Sequence, residues 1–334
     1  MISSTILIII GFILLSKGAD FLVDGASEIA KKFHIPEIVI GLTIVAVGTS
    51  MPELVVSVTS STQGHSDIAI GNIVGSNIAN MFFILGICSI IKPLKFKKET
   101  RVFEMPFTII VTIILFIMCI NGKEKVITQG EGICLLIICV GFILYNLAIS
   151  KMTETIDNTE KIIEITIGKS EEIKWYESFF KIIIGILSLK VGGDFVVNNC
   201  VIVARLLGIT EQMISLTIVA FSTSLPELIT SIVATKKNQT DIAIGNILGS
   251  QIFNIVLIIG VSAALNPINY SALYNSNIIL LIAGSFLMWI FPYIGRKNRK
   301  IRNEMTRADG ILFVVTYIIY LIQVVRCKWK FILK

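Results

Sequence analysis

Charge is scarce in this chain. Asp, Glu, Lys and Arg make up 16% of its 334 residues, hydrophobic residues 54%, and the mean hydropathy is +0.84. Soluble domains carry about a quarter charged residues, so this composition excludes that class and points to a protein dissolved in lipid. Histidine is nearly missing. His34 and His65 stand far apart at expected helix ends, without metal-ligand spacing, and read as solvated loop residues. The six cysteines form no CxxC pair and mostly lie in apolar runs, which favours small buried hydrophobes over metal ligands or disulfides. Alternating hydrophobicity is also missing. The apolar runs are continuous, which disfavours a transmembrane β-barrel.

The runs themselves are long: Ile6–Leu15 extended to Val23, Phe107–Ile120, Ile133–Ile149, Phe180–Leu189, Ile278–Ile294 and Ile311–Val325. At about twenty residues per span, the chain holds about ten transmembrane helices. The first run has no basic flank before it, and Lys17 and Asp20 interrupt any cleavage region, so it reads as a retained helix rather than a signal peptide. The net charge of +6 gathers in particular loops instead of forming a nucleic-acid surface. One loop class holds Lys31, Lys32, Lys92–Arg101, Lys151–Lys181, Lys236, Lys237 and Arg296–Arg307; the other holds Lys123, Lys125, Arg205 and Arg326–Lys334. The positive-inside rule puts the richer class in the cytoplasm and both termini outside.

Part of the chain occurs twice. GLTIVAVGTSMPEL (Gly41–Leu54) returns as SLTIVAFSTSLPEL (Ser215–Leu228), and DIAIGNIVGSNIAN (Asp67–Asn80) returns as DIAIGNILGSQIFN (Asp241–Asn254), at a constant offset of 227 − 53 = 174. Between Glu37–Gly86 and Glu211–Gly260, 26 of 50 positions are identical without a gap, so the halves share a fold. Residues 1–150 form a first five-helix repeat around motif 41–86, and residues 178–334 a second around motif 215–260. A cytoplasmic linker, 151–177, joins them; it is Glu- and Lys-rich and lacks the EF-hand pattern. Five spans per half force the second to enter from the opposite side. The expected fold is therefore all-α and integral to the membrane, with two inverted five-helix repeats.

Each repeat carries a Pro-Glu pair in mid-span. Pro52 removes the donor for the Gly48 carbonyl and crowds that turn, so the helix should break and expose carbonyl oxygens; Pro226 does the same after Ser222. Ser50, Glu53 and Ser57 share one helix face, as do Ser224, Glu227 and Ser231. Ser76 and Asn80, like Ser250 and Asn254, lie at i and i+4. Two-fold symmetry would gather Glu53, Asn80, Glu227 and Asn254 at one midplane point. Carboxylate, amide, hydroxyl and carbonyl oxygens suit hard cations such as Ca²⁺ or Na⁺ and not zinc or copper. An ionised carboxylate at the bilayer centre costs at least about 2.5 kcal/mol, and no Lys or Arg stands in the motif to offset two of them. One Ca²⁺, two Na⁺ or two H⁺ would balance the pair, and that mutual exclusion is a basis for exchange. Asp67 and Asp241, at helix starts, read as N-caps. Lys17, Asp20, Lys190 and Asp194 read as residues near span ends or facing the bundle.

At these motifs the chain resembles the cation/calcium exchanger superfamily, in its prokaryotic sodium/calcium exchanger branch. GTSMPE…GNIVGSNIAN and STSLPE…GNILGSQIFN look like that family's two α-repeats, and the likeness covers nearly the whole chain. It implies antiport of Na⁺ against Ca²⁺ by alternating access, with those ions as substrates, the bilayer as surroundings, and no cofactor, enzymatic activity, nucleic acid or obligatory protein partner. Carried over by motif, Glu53 and Glu227 would be ligands shared by both ions, and the Thr49 and Thr223 carbonyls would complete the Ca²⁺ site. Ser50, Ser76 and the Ala46 carbonyl would form one flanking Na⁺ site; Ser224, Ser250 and the Ala220 carbonyl would form the other. Asn80 and Asn254 would border the centre, and the first and sixth helices would slide to switch access. Potassium-dependent members carry Asp where Asn254 stands, so the resemblance implies no K⁺ requirement. Ca²⁺/H⁺ exchange is the alternative.

Overall fold

A computed structural model of the chain describes residues 2–120, 126–161, 175–206, 223–293 and 303–332. Its helices are α1 (Ile2–Lys32), α2 (Glu37–Thr49), α3 (Met51–Thr62), α4 (Ser66–Ile91), α5 (Thr100–Ile120), α6 (Gln129–Lys161), α7 (Trp175–Leu206), α8 (Leu225–Lys236), α9 (Thr240–Leu265), α10 (Asn275–Ile290) and α11 (Arg307–Ile332). Seven of these are long and apolar enough to cross a membrane, or eight when α2 and α3 count as one bent span. The chain is a multi-pass membrane protein. Helix α6 runs into the expected linker as far as Lys161, and α7 starts at Trp175. The apolar patch expected at Ile162–Ile167 lies outside the described residues.

The most enclosed helices are α4 and α9, which carry the repeated GN…GS motifs. Large apolar side chains such as Ile9, Ile13, Ile137, Leu144, Phe180, Leu187, Ile318 and Ile322 point outward from α1, α6, α7 and α11, where lipid would solvate them. Water does not drive helices together inside a bilayer, so close packing must do so. Helices α1 and α7 meet along a glycine seam. A Cβ added at Gly11 would sit 2.8 Å from the Gly192 carbonyl oxygen, and one at Gly18 would sit 2.9 Å from that of Gly185. The offset 185 − 11 = 174 and 192 − 18 = 174 makes these two crossings equivalent.

The helix ends are tied by contacts that repeat likewise. Strand β1 (Leu94–Lys95) pairs antiparallel with β4 (Glu304–Met305), and β2 (Val126–Ile127) pairs with β3 (Ile268–Asn269). Since 268 − 94 = 174 and 304 − 126 = 178, each pairing is the counterpart of the other and joins one half to its partner half. A capping box follows β2 and another follows β4. Thr128 and Glu131 bond reciprocally at the start of α6, as Thr306 and Asp309 do at the start of α11. These two-residue strands and their caps are too short for hydrophobic periodicity to reveal.

Two expectations change, and a third gains a partner. Asp67 and Asp241 do not cap their helices; the N-cap residues are His65 and Gln239, and neither helix has a side-chain cap bond. Both aspartates sit in the first turn, where the helix dipole favours their charge, and Asp241 pairs with Lys97 at 2.6 Å. Cys134 is exposed on the outer wall of α6, and Cys200 is half-buried; Cys88, Cys119 and Cys139 are buried, and all five are free thiols. Asp20 faces the bundle through a specific partner: Lys237 Nζ lies 3.0 Å from Asp20 and 2.9 Å from Asp24.

Candidate functional site

The chain bends by 50° between α2 and α3, and the break falls at Ser50, whose φ and ψ are −83° and 9°. The same non-helical geometry recurs at Ser224, −85° and 4°, before α8. The break thus lies at the serine, two residues after Gly48 and Ser222. Pro52 and Pro226 occupy the first turn of the following helix, where a missing N–H costs least. Glu53 and Glu227 stand in those first turns, with backbone N–H groups of the helix start nearby and their carboxyls buried.

Each carboxylate is served by the opposite half. Ser50 Oγ donates to Glu227 Oε1 at 2.9 Å, and Ser224 Oγ donates to Glu53 Oε1 at 3.5 Å. Ser76 Oγ also donates to Glu53 Oε1, at 3.4 Å, and lies 3.5 Å from Thr223 Oγ1. The two carboxylates are close enough for their charges to repel, and among the described residues neither has an ion-pair partner. Glu53 Oε2, Glu227 Oε2, Asn80 Oδ1, Asn254 Oδ1 and Ser250 Oγ are buried without a hydrogen-bond partner. Buried acceptors left unpaired are costly, so a set of such oxygens is what a dehydrated cation would satisfy.

Eleven of the twelve residues singled out from the sequence lie within the described structure. Glu53, Ser224, Ser76 and Thr223 form one hydrogen-bonded group and Ser50 with Glu227 a second, and Asn80, Ser250 and Asn254 are buried with unpaired polar atoms. Ala46 is buried, but its carbonyl already accepts from the Ser50 N–H at 3.0 Å and from the Thr49 hydroxyl at 3.3 Å. Ala220 lies outside the described residues.

Two residues that the motif reading passed over brace the group. Asn246 Oδ1 accepts from Thr49 Oγ1 at 3.0 Å, while its Nδ2 donates to the Glu227 carbonyl at 3.4 Å and to Ser231 Oγ at 2.9 Å. Asn72 does the same for the other half, accepting from Thr223 at 3.3 Å and donating to the Glu53 carbonyl at 3.4 Å and Ser57 at 3.0 Å. The signal was present: both asparagines sit in the duplicated DIAIGN segment, four residues before Ser76 and Ser250. Helices α4 and α9 also carry π-helical turns at Ala79–Ile84 and Asn254–Ile259, beside Asn80 and Asn254. Such turns recur at functional sites and leave little trace in composition.

Known proteins match this arrangement throughout. A family model described as "Sodium/calcium exchanger protein" matches residues 3–148 and 177–326. The inner membrane protein YrbG of Escherichia coli is 32% identical over 326 residues, covering 96% of each chain. The sodium/calcium exchanger MaX1 of Methanosarcina acetivorans is 30% identical, with 95% of this chain and 97% of the relative covered. A solved structure of the sodium-calcium exchanger NCX_Mj, soaked with Na⁺ and Ca²⁺, superposes with a TM-score of 0.78 at 29% identity, over 96% of this chain and 97% of the other. Two family-matched halves, each bringing a Pro-Glu break to one buried oxygen cluster, make this chain a member of the sodium/calcium exchanger protein family.

Proposed function

We propose that the chain is a secondary antiporter that exchanges Na⁺ for Ca²⁺ by alternating access, without a K⁺ requirement. The observation that carries this reading is the pair of buried carboxylates, Glu53 and Glu227, each held by a serine of the opposite half and each with an unpaired oxygen. Two like charges in a low-dielectric centre cannot both remain ionised and uncompensated without large cost. A Ca²⁺ ion neutralises both; Na⁺ ions bound at the flanking hydroxyls neutralise them in its place. Glu53 and Glu227 would be shared ligands, with Thr49, Thr223, Ser50, Ser224, Ser76, Ser250, Asn80 and Asn254 around them. The Ala46 and Ala220 carbonyls would join on Na⁺ binding, Ala46 after releasing the Thr49 hydroxyl.

The two equivalent crossings of α1 with α7, and the two equivalent strand pairings, support five-span inverted halves and ten membrane crossings in all. Both termini would then face outside, with the 151–177 linker in the cytoplasm. Neutral Asn80 and Asn254 leave two formal charges at the centre, which one Ca²⁺ balances without K⁺.

The test is ⁴⁵Ca²⁺ uptake into proteoliposomes. An outward Na⁺ gradient drives uptake in choline medium lacking K⁺, and Glu53→Gln or Glu227→Gln abolishes it. Uptake driven by a pH gradient and indifferent to Na⁺ would replace this reading with Ca²⁺/H⁺ exchange. Flux that dissipates gradients without coupling would indicate a channel.

A further inference from the structure

Each carboxylate at the centre takes a serine of the opposite half, but the amides beside them are arranged unequally. Asn77 Nδ2 donates to the backbone carbonyl of Gln251 at 3.2 Å, and Asn254 Nδ2 donates to Asn77 Oδ1 at 2.9 Å. A backbone carbonyl can only accept, so Gln251 fixes which way the Asn77 amide points. Asn77 Oδ1 is then turned toward Asn254 and can only accept from it. Asn254 must give its amino group to Asn77, which leaves its Oδ1 free, buried and unpartnered.

The corresponding pair in the other half is arranged differently. At the offset of 174, Asn77 corresponds to Gln251 and Asn80 to Asn254. Both polar side-chain atoms of Gln251 and both of Asn80 are buried without partners. The Asn80 amide is therefore not held in either of its two orientations, whereas that of Asn254 is held in one.

We infer that Asn77 is a positioning residue for cation binding: it clamps the Asn254 amide so that a carbonyl oxygen, not an N–H donor, is offered to the ion. This rests on the exchange reading above. An unclamped asparagine can turn its amino group toward a cation site, where its partial positive charge opposes binding, and must be ordered when the ion arrives. Holding the oxygen in place beforehand removes that cost. Asn77 touches no ion itself and acts only through Asn254.

A double-mutant cycle on the full chain, purified in detergent, tests this by equilibrium ⁴⁵Ca²⁺ binding, so that slow turnover does not hide the result. Asn77→Leu weakens Ca²⁺ binding about tenfold, as expected for one misdirected ligand. In an Asn254→Ala background the same change has no further effect beyond about twofold, because nothing remains for Asn77 to orient. Gln251→Leu leaves binding within about twofold, since its side chain holds nothing and its backbone carbonyl remains. Asn77→Ala serves in the same cycle if leucine prevents folding. Additive losses from Asn77 and Asn254, or undiminished binding by both Asn77 variants, overturn the clamp while leaving the exchange reading in place. Absence of Ca²⁺ binding by the wild-type chain overturns both.

Discussion

Neutralising Glu53 should make the ion-free protein more stable while destroying its response to Ca²⁺. The Glu53 carboxylate is buried and has no cationic partner among the described residues. Its Oε1 takes two long hydroxyl contacts, 3.4 Å from Ser76 and 3.5 Å from Ser224, and its Oε2 takes none. Glu227 adds repulsion. An ionised carboxylate at the centre of a spanning helix costs about 2.5–3.5 kcal/mol, and the two weak contacts offset only part of that. Glu53→Gln removes the charge at nearly constant volume, so at pH 8 in chelator and choline the variant should gain about 2 kcal/mol. For a chain of this size that raises the melting midpoint by several degrees. Ca²⁺ at a hundred times its dissociation constant should stabilise the wild type by about 2.7 kcal/mol and the variant not at all. Thermal denaturation in detergent, followed by size-exclusion of the surviving fraction, reads both effects. Glu227→Gln should gain less, because Glu227 Oε1 already holds a 2.9 Å bond from Ser50. A loss of ion-free stability in Glu53→Gln would refute the reasoning: the carboxylate would then be a packing element and not a charge awaiting a cation.

Lys237→Gln should release α1 from α8. The ammonium bridges Asp20 and Asp24 at a partly exposed site, worth about 1 kcal/mol after screening, so the ratio of the two access states should shift roughly fivefold by cysteine labelling from either side. Burial works against the Lys237 charge, but Asp24 and Asp20 outweigh it and raise its pKa above the usual lysine value. The contribution is therefore whole at neutral pH and is lost only as pH rises through that alkaline titration, so labelling should not change between pH 6 and 9 on its account. Gly185→Leu should cost roughly 1–3 kcal/mol or more, because even a Cβ there would lie 2.7 Å from Leu22 N and 2.8 Å from the Gly18 carbonyl oxygen; the melting midpoint measures it. Thr306→Val breaks the α11 capping box and should lower stability by about 1 kcal/mol without changing the apparent Ca²⁺ affinity in uptake assays.

Much of the site was legible because the chain states it twice. A Pro-Glu pair in an apolar segment has several explanations; two at a fixed offset, each with serines three residues before and four residues after the glutamate, have few. Helical spacing was enough to put Ser57 and Ser231 beside Glu53 and Glu227, and both are buried on that face. Contacts between the halves were harder to read. Spacing along one helix cannot say that Ser50 serves Glu227 or that Thr49 reaches Asn246, since those depend on how the α2–α3 break meets α8 and α9. The position of the break was also displaced, because the strain from Pro52 is relieved at Ser50 and not at the glycine before it. The Asp67 and Asp241 caps failed for a local reason. Each helix begins one residue earlier than the aspartate, which turns a capping position into a first-turn position.

The departures from symmetry are as informative as the repeat. The two halves agree around the buried carboxylates: 174 residues separate Glu53 from Glu227, Asn72 from Asn246 and Ser57 from Ser231, and each pair has matching contacts. They disagree where the halves must be told apart. Lys237 corresponds to Gln63, Asp20 to Asp194 and Asp24 to Asn198. A glutamine cannot form the ion pair that Lys237 makes, so among the described residues α1 has this electrostatic tie and its counterpart α7 does not. An antiporter with two interchangeable halves would have two access states of equal energy. One tie worth about 1 kcal/mol, joining the halves at one place and not at the related one, would be enough to make them unequal by roughly fivefold. The resting direction of such a molecule would then be set at the helix ends, by residues outside the proposed ion site.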